Sequence, residues 1–222
     1  MHVPFILTFL QKLRHNNSKV WMDEHREEYL QAKAYFVEMV AYQLAQLQQF
    51  DEALYGVKAQ ECIFRINKND FSKKGEAPYK GHFGAGISPG GRHSAFANYV
   101  LVLEPGGLSR IGGGMRKPGS KQLQLIREEI DYNPGQLRQV LEEPAFSQNF
   151  GSFRGEKTSN APKGYDKAHP ELELIKHKGF QVLHYFSDEE VSHPQFIERL
   201  PPLFRQVKPL HDFLNNAITE LQ

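Results

Sequence analysis

Glu61-Cys62-Ile63-Phe64-Arg65-Ile66-Asn67 opens the stretch that decides the fold, Gln60 to Met115. Its alternation sets Cys62, Phe64 and Ile66, the side expected to meet the core, against Ile63, Arg65 and Asn67. That is the period of two expected of a strand. A polar loop from Lys68 to Glu76 follows, then Ala77 to Gly86. Ser88-Pro89-Gly90-Gly91 leads into a second run, Phe96 to Glu104, and Glu104-Pro105-Gly106-Gly107 leads out of it. Both Pro-Gly pairs suit the centre of a type II turn, where Pro sets φ and Gly accepts a positive φ. In the second run Tyr99, Leu101 and Leu103 oppose Val100 and Val102, so both faces are apolar, as in a central strand. Leu108 to Met115 predicts a further strand. Its Gly112-Gly113-Gly114 marks either a flexible or bulged edge, or a place where a ligand or another strand nears the backbone.

The flanks read as helices that would cover this sheet. Phe5, Ile6, Phe9, Leu10 and Leu13 recur at helical spacing over Pro4 to Leu13. Asn16-Asn17-Ser18 breaks that helix and offers a cap for a long second one, from about Lys19 to Phe50. Trp21, His25 and Tyr29 share a face at its start, with Arg26 beside them. Beyond Pro118, Leu123, Ile126 and Ile130 form a stripe, and Asn133-Pro134 starts another helix. Phe150 to Asp166 is a long excursion, His169-Pro170 begins a short helix to about His177, and Phe180 to Phe186 is a last strand. Leu203, Val207, Leu210, Leu214, Ala217 and Leu221 form a terminal helical stripe, with a boundary expected at Pro201-Pro202 and a kink at Pro209. The fold expected is α+β, a single domain over 1–222 with a mainly antiparallel sheet of roughly four to six strands. N- and C-terminal helices pack that sheet: the chain is helical over 1–50, sheet-rich over 60–116, and helical with one late strand over 118–222.

Forty per cent hydrophobic and 24% charged residues over 222 positions are a globular composition, and a net charge of +1 opposes a whole-surface grip on nucleic acid. No run reaches membrane-span length, and no basic-then-apolar leader opens the chain. The single Cys62 excludes an intrachain disulfide and a multi-cysteine zinc site, and on the apolar side of its strand it reads as an inert thiol. A cytoplasmic location follows.

Several motifs fail on their chemistry. Gly86-Ile87-Ser88-Pro89-Gly90 spells a nucleophile elbow, but Pro89 has no N–H for an oxyanion hole. Gly114 to Lys121 ends Gly-Ser-Lys where a phosphate loop needs Gly-Lys-Ser/Thr. Ten histidines include no compact ligand spacing; His82 and His93 would face each other across the turn only if the hairpin pairs in register. No metal and no cofactor is expected.

A cluster remains. His25 and Arg26 lie near the start of the long helix, and Arg65 and Lys68 end the first strand. Lys74, Tyr79, Lys80 and His82 follow, with Arg110, Arg116 and Arg127 further on. If the helix start packs over the strand ends, Trp21, His25, Arg26, Arg65, Lys68, Tyr79, Lys80 and His82 line a cationic, aromatic cleft suited to a small anionic or phosphorylated ligand. The alternative is that each cation pairs with a carboxylate or sits in water. Two other functions compete: an enzyme with His25 or His82 as general base, and a protein- or nucleic-acid-binding module, which the balanced charge disfavours.

Asn16 to Tyr29, Glu61 to Lys68, Pro78-Tyr79-Lys80, Leu103 to Gly107, Gly112-Gly113-Gly114, Ile126 to Ile130, Pro162-Lys163-Gly164-Tyr165 and His169-Pro170 occur in an order that resembles a bacterial family of uncharacterised proteins, domain of unknown function 2461. The resemblance covers nearly the whole chain. It implies one domain and no particular activity. The loop Lys68 to Glu76 departs from the family pattern: an arginine expected there has no counterpart, and Phe71-Ser72 is shifted by one residue.

Overall fold

The computed structural model describes residues 1–68 and 77–219. In chain order it contains α1 (Val3–His15), α2 (Lys19–Glu24), α3 (Arg26–Leu47), a 3-10 turn (Glu52–Leu54), α4 (Ala59–Cys62), β1 (Phe83–Ile87), β2 (Asn98–Leu103) and β3 (Ser109–Met115). Then come α5 (Ser120–Tyr132), α6 (Pro134–Glu142), α7 (Pro144–Phe150), α8 (Leu172–Ile175), β4 (Phe180–Phe186), α9 (Asp188–Ser192) and α10 (Phe196–Ile218). The strands form one antiparallel sheet in the order β1-β2-β3-β4, so the chain is α+β. Among the described residues no helix is long and apolar enough to cross a membrane. Lys74, the loop departure at Asn69 to Glu76 and the stripe's last member, Leu221, lie outside the described residues.

The chain gathers into two compact units. Met1–His93, Val100–Ile111 and Tyr185–Pro202 form the first; Ser94–Tyr99, Gly112–His184 and Leu203–Gln222 form the second.

In the first unit, α1 buries Ile6, Phe9, Leu10 and Leu13 against α3, which answers with Phe36, Met39, Val40 and Leu44. Ser18 caps α2 as expected, accepting from the Trp21 N–H at 3.2 Å. The long helix predicted from Lys19 to Phe50 is instead two helices. At His25 the backbone leaves helical geometry, and the ring Nδ1 sits 2.9 Å from the Trp21 carbonyl. The ring and the His25 N–H share that carbonyl where α2 ends, and α3 begins at Arg26.

The strand predicted over Glu61 to Asn67 is also corrected. Ala59, Gln60 and Glu61 are good helix formers, and with Cys62 they form α4, the Glu61 carboxylate accepting from the Lys58 N–H. Beyond it the chain pairs only at isolated bridges, Ile63 with Ala85 and Asn67 with Tyr79. Cys62 and Ile66 are buried, whereas Phe64, expected beside them in the core, is exposed.

Both Pro-Gly turns form, with φ of +81° at Gly90 and +88° at Gly106. The second is held by the Asp188 carboxylate, which accepts from the Gly106 and Gly107 N–H groups. No helix boundary falls at Pro201-Pro202, because α10 runs through both prolines, although the division between the two units does fall after Pro202. Pro201 offers no N–H to the Ile197 carbonyl four residues back, and the buried Gln43 side chain donates to that carbonyl instead, at 2.9 Å.

In the second unit α5 turns Ile126 and Ile130 inward, and α6 starts on Pro134 as predicted. Asn133 sits at the cap position without capping; its side chain donates to Glu129. The 150–166 excursion bridges to β4 at Arg154 with Gln181, and to the segment before it at Lys157 with His177. The glycines of β3 lie in an interior strand, which overturns the edge reading. A Cβ on Gly114 would collide with the Phe180 carbonyl, and one on Gly113 with the His211 ring. His211 is fully buried: its Nε2 accepts from the Gly114 N–H at 2.9 Å, it bonds the Asn98 backbone, and its ring lies 4.2 Å from that of Tyr99. Burial drives its pKa down to about 3, so it stays neutral.

Candidate functional site

The aromatic centre of the first unit explains where its cavity lies. Phe83 of β1 stacks on Phe36 at 5.5 Å and reaches Phe9 and Tyr29 at 6.3 Å. Trp21 adds to this group, 6.0 Å from Phe9 and stacked on His25 at 4.1 Å and 16°. Beside Phe83 and Tyr29 opens a cavity of about 280 Å³ whose other walls are Lys33 and Val37 of α3, Gln60, the segment Ile63 to Asn67, and Arg92. Tyr29, Lys33 and Val37 stand four residues apart on α3, so one helical stripe lines one wall.

Three cations meet at this cavity: Lys33, Arg65 and Arg92. None of them pairs with a carboxylate among the described residues. Two are held by their surroundings. Arg92 donates through Nη1 to the Glu61 carbonyl at 3.0 Å, and the Lys80 ammonium donates to the Arg65 carbonyl at 2.8 Å, fixing the backbone from which that guanidinium extends. Tyr29 keeps its phenolic proton, since burial raises its pKa against the pull of Arg26, with Tyr79 adding to the rise. A protonated phenol and three cations are donors, which suits oxygen-rich anions.

The residues named from the sequence divide among neighbouring roles. Arg65 lines the cavity. Lys80 positions it, and the Lys68 N–H pairs with the Pro78 carbonyl behind it. Tyr79 is clamped by Asn17, whose amide both donates to its carbonyl and accepts from its N–H. Arg26 acts on Tyr29 through its charge and Tyr79 lies near enough to influence its phenol, while Trp21 and His25 belong to the ring stack. His82 lies elsewhere, 3.8 Å from a Glu104 carboxylate that Arg110 holds at 2.7 Å. Burial, more than the opposing pull of Glu104, lowers the His82 pKa. Arg127 lines a separate cleft within the second unit. Among the described residues no carboxylate or hydroxyl is hydrogen-bonded to His25, so no catalytic dyad is formed there. Cys62 is buried, and its thiol pKa is pushed up to about 11 by that burial, which leaves it unreactive.

Lys33 and Arg92 escaped the sequence reading. The first was accessible: the step of four through Trp21, His25 and Tyr29 continues to Lys33 and Val37. The second was not, since only the fold brings Arg92 back to Glu61.

No curated protein and no solved structure matches the chain. A family model matches residues 5–213, nearly its whole length, and so the chain belongs to the conserved hypothetical protein family DUF2461.

Proposed function

We propose that the first unit binds a small anion, a phosphate or carboxylate ester or acid of metabolite size, at Lys33, Arg65 and Arg92. The observation that carries this is three cations at one cavity with no described carboxylate to neutralise them. An uncompensated group of like charges is unfavourable in itself, and a multivalent anion removes that penalty. Phe64 and Phe83 supply apolar wall, and the volume sits at the small end of ligand pockets. A cytoplasmic location, where such metabolites are abundant and a free thiol is stable, goes with this reading.

Thermal unfolding in the presence of inorganic phosphate, pyrophosphate, a nucleoside monophosphate and citrate tests it. A ligand at a hundred times its Kd stabilises the folded state by about 2.7 kcal/mol. The stabilisation should vanish in Lys33→Ala and Arg65→Ala, both at exposed positions. No stabilisation by any of the four, or one that survives both substitutions, sinks the proposal.

A further inference from the structure

A wide cleft of the second unit has a different chemistry. Helix α5 turns its apolar side inward and presents the opposite side, from Ser120 to Tyr132 at steps of three and four, to a cleft of about 890 Å³. The stretch Lys163-Gly164-Tyr165 lines it too. Both segments carry the family resemblance, and the anion site uses neither. The volume lies toward the upper end for small-ligand sites.

Its polar groups are pre-aimed. The His169 Nδ1 accepts from the Glu171 N–H at 3.0 Å, so the proton of the neutral ring is on Nε2, which donates to Asp131 Oδ1 at 2.9 Å. Asp131 is thereby oriented with its second oxygen left to accept. Glu128, one turn earlier, accepts from Gln124 through Oε1 at 2.9 Å and keeps Oε2. Arg127 is anchored by the Ile175 and His177 carbonyls through Nε and Nη2, leaving Nη1. Tyr165 retains its phenolic proton as a donor, because burial and then the charges of Asp131 and Glu128 raise its pKa. At the rim Tyr132 is 82% exposed and stacks on no ring among the described residues.

Two cations, Arg127 and Lys163, face two carboxylates, Glu128 and Asp131. An anion would meet the carboxylates and a cation the basic groups, so the cleft selects for no net charge. It offers fixed donors and acceptors in alternation beside a bare aromatic ring. A ligand with many hydroxyls, each able to donate and accept, and an apolar C–H face answers both features. We propose that this cleft binds a neutral oligosaccharide, with a sugar ring against Tyr132 and hydroxyls shared among Glu128, Asp131, Arg127 and Tyr165.

The test is amide chemical-shift mapping of the intact chain with cellotetraose, maltotetraose and fully N-acetylated chitotetraose at millimolar concentration, and with pyrophosphate. At least one sugar should shift amides within Ser120 to Tyr132 and Lys163 to Tyr165. Tyr132→Ala, exposed enough to leave the fold intact, should weaken that binding about tenfold. Glu128→Gln should also weaken it, and Arg65→Ala should leave it unchanged, so that it stands or falls apart from the anion site. Silence from all three sugars, shifts that survive Tyr132→Ala, or a response of the same amides to pyrophosphate alone would each overturn the proposal.

Discussion

The cavity of the first unit and the cleft of the second are built on opposite principles. The first is small, cationic and set against stacked rings, so its shape follows from Phe83, Phe36 and Tyr29, and among the described residues no carboxylate pairs with its cations. The second is wide and charge-balanced, with Glu128, Arg127 and Asp131 each partly committed to a neighbour. Their supports differ as well. The core of the first unit is centred on stacked rings, with polar side chains such as Gln43 and Ser88 buried in it, whereas the second buries two histidines in the neutral form, His177 and His211. One unit is centred on packed rings, and the other holds buried ionisable rings: His211 accepts from the Gly114 N–H, while the buried His177 Nδ1 has no partner among the described residues.

Acid should separate them most. The pKa of His211 in the folded chain is about 3, against an ordinary 6.5, so the unfolded chain takes up its proton first as pH falls. Stability present above pH 6.5 is therefore lost progressively down to pH 3, by up to about 5 kcal/mol. His177, lowered to about 4 chiefly by burial, acts in the same direction. Amides around Gly114 should lose dispersion at a higher pH than the fluorescence of Trp21 changes, the single tryptophan reporting on the first unit alone. His211→Gln should flatten the acid dependence. Coincident transitions at both probes would break the contrast.

Phe83→Ala attacks the other side. Removing a buried ring that touches three others should cost about 4 kcal/mol and reshape the cavity beside it. Urea unfolding followed at Trp21 measures it. A cost below about 1 kcal/mol would mean that the rings do not organise the first unit.

A third, smaller effect concerns Gln43. Gln43→Ala leaves the Ile197 carbonyl buried without a donor and should destabilise by about 2 kcal/mol. If Pro201→Ala, which restores an N–H, recovers much of that loss in the double variant, the substitution of side chain for backbone is established.

Gln43 also shows where sequence legibility ends. Ser18, the Pro-Gly turns and the strand Phe180 to Phe186 could be read because each signal lies within a few adjacent residues. The prolines of α10 were misread because their compensation comes from a residue 154 positions away. The strand expected at Glu61 failed for a local reason, since Ala59 and Gln60 precede the β-like run and draw its first residues into a helix. The short α7 and α9 hold too few turns for a stripe to emerge. At the cavity of the first unit, Arg65 could be named from its place on a strand-like run rich in apolar neighbours. Arg92 depended on a chain reversal that no local pattern encodes.

The smallest expected effect is the most discriminating for the cavity. Lys33 and Arg65 are exposed and unpaired among the described residues, so truncating either should change stability by less than about 0.5 kcal/mol in the absence of ligand. Because the cavity's cations repel one another, the sign should be slightly stabilising, and more so at low salt. A structural cation would behave oppositely: its loss would destabilise the apo protein, and salt would weaken the effect of a lost ion pair. Urea denaturation of Arg65→Ala at two ionic strengths distinguishes these cases. A gain that fades with salt marks a charge held against its neighbours for a partner from outside, and a clear loss marks one that serves the fold.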